Sequence, residues 1–190
     1  MNQRQLAAIS VAVLVVLVVV GVLYVRLHPS QQLQNASVAP VNATAEMGQR
    51  APEFVTASTN GLFDLDKTTK PAFIEIFATW CPHCQRETAV IEKLYTRFGN
   101  RVAFIAIPGS DTGMDGTSPE SQLDVLTFQN RFGVSYPIGA YDPSLSIAKQ
   151  YLKGGFPTIA IVDAHKTIAY INSGEIPYEE LAAVLERTLK

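Results

Sequence analysis

The residues best equipped for chemistry lie in one stretch, Ala78-Thr79-Trp80-Cys81-Pro82-His83-Cys84-Gln85-Arg86-Glu87. It holds both cysteines of the chain and its only tryptophan. Upstream runs Ala72-Phe73-Ile74-Glu75-Ile76-Phe77, a short apolar run with one acid in it, which reads as a buried strand. Downstream, Ala89, Ile91, Leu94, Tyr95 and Phe98 recur at helical spacing, and Gly99 supplies a stop. Cys81 therefore falls where a strand turns into a helix. The unpaired N–H groups and the positive dipole end found there favour a thiolate at Cys81. Cys84, three residues on, returns to the same helix face and within reach of the first sulfur. Pro82 suits an early helix position because the N–H it lacks would be unpaired anyway. His83 adds a positive charge beside the thiolate. The chemistry this predicts is thiol–disulfide exchange, in which Cys81 attacks, a mixed disulfide forms and Cys84 resolves it. The Cys81–Cys84 pair is then its own redox centre, and no separate cofactor or metal is expected.

Other readings of Cys-x-x-Cys fit less well. A structural zinc site needs about four ligands, and only His28, His83 and His165 remain as soft donors. Covalent haem attachment needs His directly after the second Cys, where this chain has Gln85. A purely structural disulfide would close almost no loop and stabilise little.

Phe77-Ala78-Thr79-Trp80-Cys81-Pro82-His83-Cys84 resembles the active site of thioredoxin-like proteins. Gly48-x-x-Ala51-Pro52-x-Phe54 is similar to the opening segment of the membrane-anchored TlpA- and ResA-type members, and the resemblance covers roughly residues 47–190. It implies an α/β thioredoxin fold: a central mixed sheet flanked by helices, with an N-terminal hairpin and a TlpA-type insertion. Glu87 matches an acid those proteins carry near the disulfide, where it would tune the site. Glu75 stands where thioredoxins carry a buried acid that exchanges a proton with the resolving thiol. Gly155-Phe156-Pro157-Thr158 looks like their cis-proline loop, whose Phe156 backbone would pair with an extended substrate. Trp80, Phe156 and Thr158 would line the docking surface. The Cys-Pro-His-Cys sequence itself departs toward the DsbA-type oxidases and leaves the direction of electron flow open.

Residue by residue, simpler readings stand beside these. Ionised carboxylate in an apolar strand is costly, so burial would raise the pKa of Glu75 toward neutral; strand alternation would otherwise turn it to solvent. Glu87 would otherwise be a surface acid favouring the positive helix end, Trp80 a core aromatic, and Pro157 the start of a strand. A peroxidase is disfavoured because the Thr-x-x-Cys spacing of peroxiredoxins is absent around Cys81, and a copper chaperone of related fold would want wider Cys spacing. A tethered binding or chaperone module on the same scaffold remains the alternative from another class.

The elements that must position the dithiol follow from the rest of the chain. With 190 residues, one domain plus an appendage is expected. The net charge of −2 is too small to suggest nucleic acid as a partner. Residues 1–5 read as a short cytoplasmic N-terminus, and residues 6–25 are almost wholly Leu, Val, Ile and Ala, enough at about 1.5 Å each to span a bilayer core of roughly 30 Å. They read as an uncleaved transmembrane anchor; a cleavable signal peptide, with an apolar core of about 7–15 residues, is the competing reading. Residues 26–46, rich in Gln, Asn, Ser, Ala and Thr, read as a flexible linker to a domain over 47–190. Arg4 at one end and Arg26 and His28 at the other leave orientation open by charge. A dithiol domain on an anchor makes most sense at the cell membrane's outer, periplasmic or extracellular side, acting on exported proteins with thiols or disulfides. It would then need a membrane partner to deliver electrons.

Within the domain, Thr59-Asn60-Gly61 between apolar runs predicts a small hairpin, and residues 101–107 a buried parallel strand. Ser118-Pro119-Glu120 predicts a helix start, with Leu123, Leu126, Phe128 and Phe132 as its apolar contacts and Gly133 as its stop. A short strand is expected over 136–140, a helix from Asp142 to about Leu152, and strands over 158–163 and 167–171. A closing helix over 177–190 would present Leu181, Val184, Leu185 and Leu189 to the core.

Overall fold

The computed structural model describes residues 44–190. The anchor read over 6–25, and the linker up to residue 43, lie outside the described residues. Among those described, no helix is long and apolar enough to cross a membrane. Ala45 is already fully buried, and its N–H donates to Gln150 O at 2.7 Å.

The chain forms a hairpin of β1 (Val55–Ser58) and β2 (Gly61–Asp64), then β3 (Ala72–Phe77), α1 (Pro82–Phe98), β4 (Ala103–Pro108), α2 (Gln122–Phe132), α3 (Ser146–Tyr151), β5 (Thr158–Val162), β6 (Ile168–Ser173) and α4 (Tyr178–Thr188). Four strands make a mixed sheet in the order β4-β3-β5-β6, with β3 parallel to β4 and antiparallel to β5. Every residue of β3 is buried. Phe73 and Phe77 face one cluster with Ile91, Leu94 and Phe98 of α1 and Leu181 and Leu185 of α4. Ala72, Ile74 and Ile76 face another with Ile147, Ala148 and Tyr151 of α3. Each such side chain contributes about 1.5–3 kcal/mol by leaving water, so β3 is anchored from both sides.

Alternation along β3 therefore does not turn Glu75 to solvent, because neither face of the strand meets solvent. Glu75 shares the side of Phe73 and Phe77, under α1.

The hairpin joins the sheet through the segment around Ile138. Ala106 N–H donates to Pro137 O (2.9 Å), Gly139 N–H to Ala106 O (2.8 Å) and Ala140 N–H to Ala57 O (2.8 Å). The strand expected over 136–140 is thus reduced to single bridges, Ile138 to Ala106 and Gly139 to Ser58.

Two helix starts differ from the sequence reading. The helix expected at Ser118 begins at Gln122, with Ser121 as its cap accepting from Asp124 N–H. The Asp115 carboxylate binds the N–H groups of Thr117 and Ser118 at 2.8 Å each and holds that stretch as a turn. Leu123 and Leu126 are correspondingly exposed, at 73% and 39%, and Val125 and Phe128 face the core instead. The helix expected from Asp142 begins only at Ser146. The Asp142 carboxylate accepts from the N–H groups of Ser144 and Ser146, and Leu145 adopts a left-handed conformation with φ of 53°. Asp side chains compete in this way with helical hydrogen bonding.

Gly109, directly after β4, sits where three elements meet. A Cβ there would lie 2.5 Å from Ile76 Cγ2, 3.0 Å from Phe156 Cε1 and 3.2 Å from Ala148 Cβ. Gly109→Ala is expected to lose about 1–3 kcal/mol of stability through overpacking, read as a lowered midpoint in urea unfolding; an unchanged midpoint would show that this junction can relax.

Candidate active site

Cys81 is the N-cap of α1, with Pro82 at the first helical position, and its side chain makes no capping hydrogen bond. Its thiol is 4% exposed and donates to Phe156 O at 3.7 Å. The Phe156–Pro157 peptide is cis, and the contact of Cys81 with Phe156 O puts the loop read from Gly155-Phe156-Pro157-Thr158 opposite the dithiol. Both cysteines are free thiols, and Cys84 is fully buried.

The turn that presents Cys81 is held by side chains from distant segments. Thr79 Oγ1 donates to Glu120 Oε2 at 2.6 Å, both groups buried. Trp80 Nε1 donates to Ser110 Oγ at 2.9 Å, and Gln85 Nε2 donates to Thr79 O at 3.1 Å. The Trp80 ring meets Phe156 edge-on at 6.2 Å and remains 37% exposed. Trp80 is thus a surface aromatic beside the cis-proline loop, not a core one. Thr158, expected to face a substrate, is fully buried. Its hydroxyl donates to Gly155 O at 2.8 Å and accepts from Lys153 N–H at 3.0 Å, bracing the loop from behind.

Beneath the cysteines lie two acids, each 2% exposed. Tyr136 donates to Glu75 Oε2 at 3.4 Å, while Glu75 Oε1 is buried with no partner. Burial first, and then the charge of Glu87, push the Glu75 carboxyl up to about 8. Glu87 accepts from Ile176 N–H at 3.3 Å and is pushed up to about 7, chiefly by burial. It is therefore no surface acid. Burial, followed by the charge of Glu75, drives the Cys84 thiol far above its ordinary range. The inner sulfur is thus held as a protonated thiol beside carboxyls that titrate around neutrality, an arrangement suited to moving one proton during exchange.

His83 points outward. Its Nδ1 lies 2.6 Å from Glu175 Oε1, and Arg86 joins the same carboxylate, with Nε at 3.0 Å and Nη2 at 2.5 Å from Oε1. His165 occupies an exposed turn remote from these groups. Among the described residues, no group of three or more His, Cys, Asp or Glu side chains is arranged to hold a metal.

The sequence reading missed Ser110, Glu120, Tyr136 and Glu175. Tyr136 falls in the expected short strand, Glu120 in the expected helix start, and Ser110 and Glu175 between expected elements; only the packed fold brings them to the site. The acid in Ser-Pro-Glu120 and the Gly174-Glu175 pair after β6 were visible, but nothing local distinguishes either from a surface carboxylate.

The Redoxin family model matches residues 46–185, the whole span from the opening segment to α4. The chain belongs to the Redoxin family. Among similar proteins of this family is the thiol-disulfide oxidoreductase ResA of Halalkalibacterium halodurans, 28% identical over 147 residues that cover 75% of this chain and 77% of that one. ResA of Bacillus anthracis is 27% identical over 145 residues, covering 75% and 78%. Two solved structures share the fold: a thiol:disulfide interchange protein from Chlorobium tepidum (TM-score 0.58, 22% identity, 77% of this chain and 100% of that chain) and a thio-disulfide isomerase from Thermus thermophilus (TM-score 0.61, 20% identity, 76% and 97%). This redoxin is a thiol–disulfide oxidoreductase of thioredoxin-like fold.

The raised pKa of Glu75 links the site to stability. Folded Glu75 keeps its proton up to about pH 8, whereas the unfolded acid loses it near its ordinary value. Folding therefore takes up a proton in that interval, and stability falls as pH rises through it. Glu75→Gln removes its share of the dependence and leaves that of Glu87. The reduced variant is expected to exceed the wild type by on the order of 1–3 kcal/mol at pH 8 and by much less at pH 5, measured by denaturant unfolding at both values. Equal gains at both would mean that Glu75 is ionised in the folded protein.

Proposed function

We propose that this redoxin is a membrane-anchored reductase of disulfides in exported proteins, acting through Cys81 and Cys84. The observation that carries the reading is the pair of cysteines at the start of α1, the inner thiol out of water beside Glu75, which Glu87 in turn influences. Cys81 as thiolate attacks a substrate disulfide and expels one substrate thiolate, leaving a mixed disulfide. Cys84 gives its proton to the ionised fraction of the acid pair and attacks the Cys81 sulfur. The second substrate thiolate leaves and the Cys81–Cys84 disulfide forms. The substrate gains two electrons; the acid returns the Cys84 proton to one leaving thiolate, solvent that took up the Cys81 proton supplies the other, and no cofactor beyond the dithiol enters. Phe156 backbone beside the Pro157 bond, with Trp80 and the Phe156 ring, would receive the extended substrate chain.

Relatives named ResA support a reducing direction. The apolar run over 6–25 supports an anchor, with the domain outside the cytoplasm, and a membrane partner would renew the dithiol because that side holds no reducing pool. Cytochrome c precursors before haem attachment are candidate substrates, by the likeness to TlpA- and ResA-type proteins. The competing reading, a disulfide-forming oxidase, is favoured by His83 in the Cys-Pro-His-Cys sequence.

Equilibration with a glutathione series separates the two. The reductase reading expects a potential nearer thioredoxin's, about −270 mV, than the oxidase DsbA's, about −120 mV; a value close to the latter overturns it. Cys81→Ser should abolish insulin reduction, and Cys84→Ser should accumulate mixed disulfides on Cys81. Full function in cells lacking the Cys81 thiol would instead mark a binding or chaperone module. Glu75→Gln should slow turnover by about tenfold or more if the acid carries the Cys84 proton.

A further inference from the structure

The turn after β6 touches the active site with three consecutive residues. Gly174, at φ of 92°, donates its N–H to Pro157 O at 2.8 Å. Glu175 binds His83 and Arg86. Ile176 N–H donates to Glu87 Oε1. The backbone contacts on either side fix where the Glu175 carboxylate stands, over the first turn of α1. There it accepts from Arg86 Nε at both oxygens, at 3.0 and 3.2 Å, and from Nη2 at 2.5 Å, while His83 Nδ1 lies 2.6 Å from Oε1. Arg86 Nη2 and His83 Nδ1 are themselves 2.9 Å apart, so one carboxylate gathers a guanidinium and an imidazole into a single cluster.

Exposed ion pairs of this kind contribute little to folding, and these side chains are 39–60% exposed. Their effect on the sulfur is another matter. Cys81 is almost wholly out of water, where the effective dielectric is lower and a nearby charge acts more strongly. The Arg86 guanidinium senses that sulfur as well as Glu175. Positive charge next to Cys81 favours the thiolate, hence the reduced pair, and makes the disulfide more oxidising. A carboxylate bonded to the guanidinium and to the His83 ring opposes that.

We propose that Glu175 is a positioning residue that sets the redox poise of the Cys81–Cys84 pair: by holding the Arg86 guanidinium and the His83 ring it withholds positive charge from the Cys81 sulfur, keeping a Cys-Pro-His-Cys site more reducing than its motif alone would make it. This deepens the reductase reading, and the two fail separately. The wild-type potential tests the direction of electron flow, whereas the difference between variant and wild type tests Glu175.

The test is the thiol–disulfide equilibrium constant of the full chain against glutathione at pH 7, for the wild type, Glu175→Gln, the pair His83→Ala with Arg86→Ala, and all three changes together. Glu175→Gln is expected to shift the equilibrium toward the dithiol by threefold or more, with a melting temperature close to that of the wild type. In the background lacking both side chains, the same change should shift it by less than half as much on a logarithmic scale. A Glu175→Gln constant within twofold of the wild type, or one shifted toward the disulfide, overturns the proposal. So does an undiminished shift in that background, which would mean that the carboxylate acts on the sulfur by its own charge alone.

Discussion

The carboxyl of Glu75 lies in the middle of a strand covered on both faces, next to a thiol that is itself out of water. Neither group can ionise there without losing hydration that the surrounding apolar side chains do not replace. The other features of the site follow from that constraint. The inner sulfur stays a thiol and Glu75 stays largely protonated at neutral pH. Glu87, with a backbone N–H from Ile176, loses its proton somewhat more readily. A small change in charge at the dithiol can then move a proton among three groups. The cost of that arrangement is borne by the apolar packing of β3 between two core clusters.

The outer sulfur is nearly as deep, but its surroundings differ. It stands at the N-cap of α1 and faces the Phe156 carbonyl, next to the exposed edge of Trp80. One turn of helix thus separates a sulfur suited to attack from one suited to wait.

The supports of that turn come from far along the chain. Ser110 and Glu120 hold Trp80 and Thr79, and residues 174–176 reach the cis-proline loop, the helix surface and the buried acid in succession. Most of these contacts are single hydrogen bonds, and Glu175 adds a cluster with His83 and Arg86. Together they define the docking face without adding much to the core.

Much of this was legible in the residues themselves. The apolar run of β3, the helical spacing of Ile91, Leu94 and Phe98, the stop at Gly133 and the Cys-x-x-Cys spacing are local patterns, and local geometry alone makes them informative. Helix starts were harder: Asp115 and Asp142 bind backbone N–H groups in turns that compete with helix, and Leu123 and Leu126 carry apolar character on a face that the fold leaves in water. The sequence by itself determined the chemistry, because two thiols one turn apart at a helix start can do little else. Only the tertiary structure decided the protonation of Glu75, the burial of Glu87 and the pairing of His83 with Glu175. Those depend on dielectric and on neighbours 61, 89 and 92 residues away, and no local pattern encodes them.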